Sequence, residues 1–218
     1  MNVYVFDFHE TLTEGYELEY NFYKALLKNK NLSIKAELLL KLIGMYINKK
    51  KDSVNDVFDI LEECLNLQNV SNEDVENAIK ISTEKFSLNK ELEEIFEKIN
   101  EKFILTRGIE NIIKEALKKY NIEVYGNKLY YEGKWKVNRE IMSPEDKLKK
   151  LKEILNEKYK GKNIKTIVLG NGNADIEILK FADVPVATYN ATKKIKNIVK
   201  KRNGIILKKN NFYELLNV

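Results

Sequence analysis

The sequence predicts an α/β fold, a parallel sheet flanked by helices with an all-helical segment inserted after the first strand. Three observations carry that expectation. The run Val3-Tyr4-Val5-Phe6 is short, β-branched and aromatic, and it stops abruptly at Asp7, as a buried strand does. From Tyr16 to about Ser87 the apolar residues fall at helical spacing. Beyond Asn89, strand-like and helix-like runs alternate, a pattern that buries a parallel sheet between two helical layers.

Within the inserted stretch the apolar sets are Leu18, Phe22 and Leu26; Leu38, Leu42 and Met45; Val57, Leu61 and Cys64; and Val75, Ile79 and Phe86. They describe about four helices, with Ser33, Ser53 and Ser71 as N-cap candidates; Ser53 and Ser71 are each followed three residues later by an Asp. A helix opened by Asn89 follows. Strands are then expected over 103–105, 122–125, 164–169, 184–187 and 204–206, and helices over 109–120, 176–181, 192–201 and 212–216. The stretch 125–135 alternates turn residues with aromatic pieces and reads as a β-hairpin on the core. Ser143-Pro144-Glu145-Asp146 opens one further helix, with an N-cap Ser and Pro at the first helical position. The chain therefore divides into a core of residues 1–15 and 89–218 and a helical cap of residues 16–88. An insertion at that point lies over the carboxyl ends of the strands, where open α/β sheets bind ligands.

Composition narrows the function classes. The chain is 44% hydrophobic and 33% charged, with two Pro and nine Gly, a mixture that buries enough apolar surface to fold. Its only cysteine, Cys64, excludes an internal disulfide and reads as core filler, which suits a reducing cytoplasm. Neither a signal peptide nor a run of membrane-spanning length is present, so a soluble cytoplasmic protein is expected. The net charge of +5 invites a nucleic-acid reading, but 38 basic residues are interleaved with 33 acidic ones, as on solvated helix faces. The basic runs 49–51 and 193–202 are exceptions that read as surface, and nucleic acid is not the expected partner.

The polar residues at strand ends carry the chemistry. Asp7 and His9 follow the first strand, Thr106 the second, and Asn171 and Asp175 the strand over 164–169, while Lys147 lies in the first turn of the helix after Ser143. A carboxylate nucleophile with a cation, a hydroxyl and a second carboxylate suits phosphoryl transfer, which depends on positioning and charge stabilisation. In this order the set resembles the haloacid dehalogenase (HAD) superfamily. Asp7-Phe8-His9-Glu10-Thr11 is similar to its first motif, DxDxT; Ile104-Leu105-Thr106-Arg107-Gly108 to its second; Lys147 to its third; and Gly170-Asn171-Gly172-Asn173-Ala174-Asp175 to its fourth, GDGxxD. A helical insertion after the first motif and a hairpin before the lysine are similar to the phosphoserine-phosphatase-like branch. There an acidic residue early in the cap helps bind the substrate amine. Tyr16 falls near that place, with Glu14 and Glu17 close by, so serine phosphate is not implied.

The resemblance implies a phosphomonoesterase for a small phosphorylated metabolite. Asp7 would form an aspartyl-phosphate, Thr106 with Arg107 and Gly108 would bind phosphate, and Lys147 would neutralise charge. Mg²⁺ would be held by Asp7, the carbonyl of His9, Asn171 and Asp175. Two positions depart from the pattern. His9, the only histidine, stands where the family's acid-base Asp belongs, and Asn171 replaces the first fourth-motif Asp. Histidine can transfer a proton near neutrality, and an amide oxygen can coordinate a hard cation with less charge, so altered chemistry and weakly bound Mg²⁺ are expected. The alternative is a catalytically impaired member that binds phosphate or regulates.

Overall fold

The computed structural model describes residues 1–13, 15, 17–28, 54–67, 69–209 and 211–218. Glu14, Tyr16, the helix expected around Leu38, Leu42 and Met45, the caps Ser33 and Ser53, and the basic run 49–51 lie outside the described residues. Six strands form one parallel sheet in the order β3-β2-β1-β6-β7-β8. They are β1 (Asn2–Phe6), β2 (Lys102–Ile109), β3 (Glu123–Asn127), β6 (Lys165–Gly170), β7 (Val184–Ala187) and β8 (Ile205–Ile206). β4 (Leu129–Tyr131) and β5 (Trp135–Val137) form a separate antiparallel hairpin.

β1 sits between β2 and β6, with Phe6 opposite Ile104 on one side and Leu169 on the other. The chain therefore leaves β1 for one neighbour, β2, and reaches the other, β6, only after β3 and the hairpin. That reversal of direction opens a crevice at the carboxyl end of β1. The strand's alternation feeds two cores: Tyr4 and Phe6 join one apolar cluster, Val3 and Val5 the other.

Helices cover both faces. Between β1 and β2 come α1 (Glu17–Lys28), α2 (Val54–Leu67), α3 (Asn72–Thr83) and α4 (Lys90–Lys98). Phe22, Phe58, Val75 and Phe96 from these helices share one cluster with Phe6 and with Ile112 of α5 (Glu110–Leu117). The opposite face is covered by α6 (Pro144–Tyr159), α7 (Ile176–Phe181) and α8 (Lys193–Lys201), through Leu151, Leu179 and Ile195. No described helix is long and apolar enough to cross a membrane.

Helix starts follow the caps read from sequence. Ser71 and Asp74 form a capping box on α3, Asn89 caps α4, and Ser143 and Asp146 form a second box on α6; Thr192, read only as the first residue of a helix, caps α8. Three elements differ from expectation. β2 runs on through Thr106 to Ile109, with its register on β3 shifting between Leu105 and Ile109. Tyr125 belongs to β3 of the main sheet, so the hairpin begins later, at Leu129. Short 3-10 turns over Asn173–Asp175 and Phe212–Asn217 stand before α7 and at the end of the chain.

The hairpin also docks in an unexpected place, against α2. Asn66 donates through Nδ2 to the Trp135 carbonyl at 3.0 Å and accepts the Trp135 N–H at 2.6 Å. Trp135 Nε1 donates to the Val70 carbonyl at 2.7 Å, and the Val137 N–H to Glu62 Oε1 at 2.7 Å. These bonds join residues more than sixty positions apart, which no local pattern encodes.

The capping box of α6 yields a direct test. Ser143→Ala removes the acceptor for the Asp146 N–H and should cost about 1 kcal/mol, measured by urea unfolding; an unchanged midpoint would show that Asp146 alone holds the helix start.

Candidate active site

The crevice is organised around the turn that follows β1. The Asp7 N–H donates to the Leu169 carbonyl at 2.9 Å, which extends the β1–β6 ladder by one residue. The chain then turns, with the Leu12 N–H on the Phe8 carbonyl at 2.9 Å and Glu10 in the left-handed region at φ +56°. The Glu10 carbonyl accepts from two side-chain amides, Asn171 Nδ2 at 2.9 Å and Asn190 Nδ2 at 3.0 Å. A strand end, a turn and two distant loops thus fix where Asp7 points.

Lys147 enters from the first turn of α6, fully buried, and its ammonium donates to Asp7 Oδ1 and Asp175 Oδ1, each at 2.7 Å. Thr11 Oγ1 donates to the other Asp7 oxygen at 3.1 Å. Asp175 Oδ2 accepts the backbone N–H groups of Asn171 and Gly172, both at 3.0 Å. Burial disfavours the Lys147 charge, but the Asp175 and Asp7 carboxylates outweigh it and hold its pKa above the ordinary lysine value. Burial and the negative charge of Asp7 push Asp175 upward, while Lys147 and the Gly172 N–H work the other way. Asp7, Lys147 and Asp175 form one compact ion cluster.

His9 makes a second buried pair. Its Nε2 lies 2.6 Å from Oε1 of Glu19, a residue of α1 that is only 2% exposed. A bond to a carboxylate requires the proton on Nε2. Burial lowers the imidazole pKa, but the Glu19 charge and hydrogen bond, helped by Asp7, carry it above the ordinary histidine value. The ring packs on Gly108, where any Cβ would overlap His9 Cε1. Glu19 Oε2 is buried and has no hydrogen-bond partner among the described residues.

Each residue expected from sequence can now be placed. Asp7, Lys147 and Asp175 touch directly, and Asn171 flanks them through its backbone N–H. Thr106 is fully buried at the bulge of β2, where its Oγ1 accepts the Gly108 N–H at 3.1 Å. Arg107 turns its guanidinium to the Met142 carbonyl at 3.2 Å. Sequence reasoning passed over Glu19, Asn127 and Asn190, and it quoted Thr11 in the first motif without giving it a role. For Glu19 a signal was present: it shares the stripe of Phe22, Tyr23 and Leu26, and a carboxylate on the apolar face of a helix needs a partner.

A hard cation fits this site in the kind of donor but finds little charge. Asp7, the His9 carbonyl and Asn171 offer oxygen donors. Asp7 and Asp175 are the charged donors, and both already carry hydrogen bonds, Asp7 from Lys147 and Thr11 and Asp175 from Lys147 and two backbone amides. Among the described residues no cluster of three or more His, Cys, Asp or Glu is disposed to hold a metal ion. Asn171 has a fixed orientation, because the Glu10 carbonyl it meets can only accept.

Breaking the ion cluster should be expensive. Lys147→Met leaves two buried carboxylates facing each other and is expected to cost about 3–5 kcal/mol in urea unfolding. Adding Asp175→Asn should recover part of that loss; full additivity of the two changes would mean that they do not share one cluster.

With this geometry in view, the comparisons with known proteins are consistent among themselves. Among curated proteins, none matches the chain in sequence. A substrate-bound phosphoserine phosphatase superposes with a TM-score of 0.67 at 19% identity, covering 99% of this chain and 96% of its own. A protein of unknown function from Bordetella pertussis Tohama I superposes with a TM-score of 0.72 at 11% identity, covering 95% and 98%. A phosphoserine phosphohydrolase-like protein from Francisella tularensis subsp. tularensis SCHU S4 gives 0.58 at 18% identity, covering 100% and 99%. At such identities these likenesses establish the shared fold. The family model for haloacid dehalogenase-like hydrolases matches residues 4–180, and on that extent the chain belongs to the haloacid dehalogenase-like hydrolase family.

Proposed function

We propose that this hydrolase is a phosphomonoesterase acting on a small phosphorylated metabolite through an aspartyl-phosphate on Asp7. The observation that carries the reading is the Asp7 carboxylate, held by Lys147 and Thr11 at the end of the central strand. A fixed carboxylate beside a buried ammonium is arranged to attack an electrophile bearing negative charge.

In the first half-reaction an Asp7 oxygen forms a bond to phosphorus and the bond from phosphorus to the alcohol oxygen breaks. Lys147 balances charge on Asp7 and on the phosphoryl oxygens, and the Thr106 hydroxyl supplies a hydrogen bond from the neighbouring strand. His9 carries one proton on Nε2, held by Glu19, and as imidazolium a second on Nδ1, which passes to the departing oxygen. In the second half-reaction the neutral imidazole takes a proton from water, the hydroxide oxygen bonds to phosphorus and the bond to Asp7 breaks. Inorganic phosphate leaves and His9 is again an imidazolium. A bound Mg²⁺, held by Asp7, the His9 carbonyl, Asn171 and Asp175, would add charge stabilisation at the phosphoryl group.

Residues 16–88 serve as the cap in this reading, with residues 1–15 and 89–218 as the core. Asp7, His9, Thr106, Lys147 and Asp175 are all at most 8% exposed, so substrate reaches them only when the cap moves, and closure then excludes water. The likeness to a substrate-bound phosphoserine phosphatase supports a small phosphorylated substrate. A second reading, a phosphate-binding or regulatory member that turns over poorly, is favoured by Asn171, whose amide anchors the Glu10 turn where the family pattern has a charged metal ligand.

Phosphate release from p-nitrophenyl phosphate and a panel of metabolite phosphates, with and without Mg²⁺, separates the two. Wild type should turn over and Asp7→Asn should fall to background; equal inertness of both across the panel would leave the binding reading. His9→Ala should lower kcat by about 10²–10⁴-fold if the imidazole is the acid and base. Placing carboxylates at both altered positions, His9→Asp with Asn171→Asp, should tighten Mg²⁺ binding by calorimetry; no gain would mean that the pocket is reshaped beyond these two residues.

A further inference from the structure

Asn127 closes β3 and is fully buried, yet nothing in the proposed chemistry uses it. Its amide makes three hydrogen bonds. Nδ2 donates to the Arg107 carbonyl at 2.8 Å and to the Ile141 carbonyl at 3.0 Å, while Oδ1 accepts the Ile141 N–H at 2.9 Å. Two carbonyls on one end and an N–H on the other fix the amide orientation without ambiguity.

The need for it arises from the irregularity in β2. Leu105 pairs with Tyr125 and Ile109 with Asn127, so Thr106, Arg107 and Gly108 stand opposite Gly126 alone. Such a bulge re-aims side chains and removes backbone groups from the ladder. A Cβ at Gly126 would come within 3.0 Å of the Gly108 carbonyl and 3.2 Å of Thr106 Cγ2, so glycine is what lets the bulge lie flat. The Asn127 side chain gives the Arg107 carbonyl the donor that an unbroken strand would have supplied. Its other two bonds hold Ile141, two residues before the N-cap of α6, and Lys147 follows one turn later. A parallel strut joins the same two segments where Arg107 Nη1 meets the Met142 carbonyl.

We infer that Asn127 is a positioning residue, a brace that fixes the Thr106 bulge against the segment carrying Lys147, so that hydroxyl and ammonium keep the spacing a phosphoryl group requires. The inference rests on the phosphatase reading. Asn127→Asp keeps the shape and one acceptor but loses both donor bonds. A misplacement of about 1 Å in such groups costs about 10²-fold in rate.

The decisive measurement is the inhibition constant for orthovanadate, which does not depend on the active fraction of a preparation, taken with kcat, KM and urea stability. The comparison variant is Asn111→Ala, which removes the acceptor for the Leu129 N–H at the root of the hairpin. Asn127→Asp should raise the vanadate constant and lower kcat with little change in KM, whereas Asn111→Ala should leave the vanadate constant within about twofold of wild type. An unchanged vanadate constant in folded Asn127→Asp overturns the brace while the phosphatase reading stands. Should Asn127→Asp fail to fold, Asn127→Ser carries the same measurement, with the same outcome deciding. A wild type that neither turns over phosphomonoesters nor binds vanadate overturns the phosphatase reading, and the brace with it.

Discussion

The buried ammonium of Lys147 between Asp7 and Asp175 is the constraint on which the rest of the architecture depends. Each charge in that cluster, removed from water alone, would cost several kcal/mol, and the cost is offset only when the three groups meet in good geometry. They come from the end of β1, the loop after β6 and the first turn of α6. Sheet order places the first two side by side. The capping box and Pro144 fix where α6 begins and hence where Lys147 points. An error in any one element would leave an unpaired charge in the interior, so the cluster acts as a check on the fold as well as a site for chemistry.

His9 extends that dependence into the inserted helices. Its partner Glu19 lies on α1, so the imidazole joins the turn after β1 to the stretch that covers it. One buried carboxylate both orients the ring and favours its charged form, against the burial that opposes it. The glycine at 108 is part of the same arrangement, since it leaves the space the ring occupies. The turn after the central strand and helix α1 are thus tied through a single hydrogen bond.

Much of this was legible in the sequence because it is local. The abrupt end of Val3-Tyr4-Val5-Phe6 at Asp7, the Ser143-Pro144-Glu145-Asp146 start and the apolar run to Leu169 each carry their structure within a few residues. What escaped is long-range. The bulge at Thr106 depends on how closely β3 packs at Gly126, and the hairpin docks through Asn66 and Glu62, far away along the chain. Glu19 was passed over because its place on the apolar stripe shows that it needs a partner, and not that the partner is a histidine ten positions earlier. Local periodicity specifies which face is buried and not what that face meets.

The two departures from the family pattern make sense together when charge and hydrogen bonding are considered at once. Replacing carboxylates by His9 and Asn171 removes negative charge from a pocket that already holds Asp7, Asp175 and Glu19, and it lowers the repulsion a phosphate dianion would meet there. Asn171 in addition donates to the Glu10 carbonyl, a bond no ionised carboxylate could make, and that bond steadies the turn carrying His9. The amide that stands where the family pattern has a carboxylate therefore strengthens the turn that follows Asp7. In the proposed reaction a site built this way would rest the holding of phosphate more on Lys147, fixed by two buried carboxylates, and less on a metal ion.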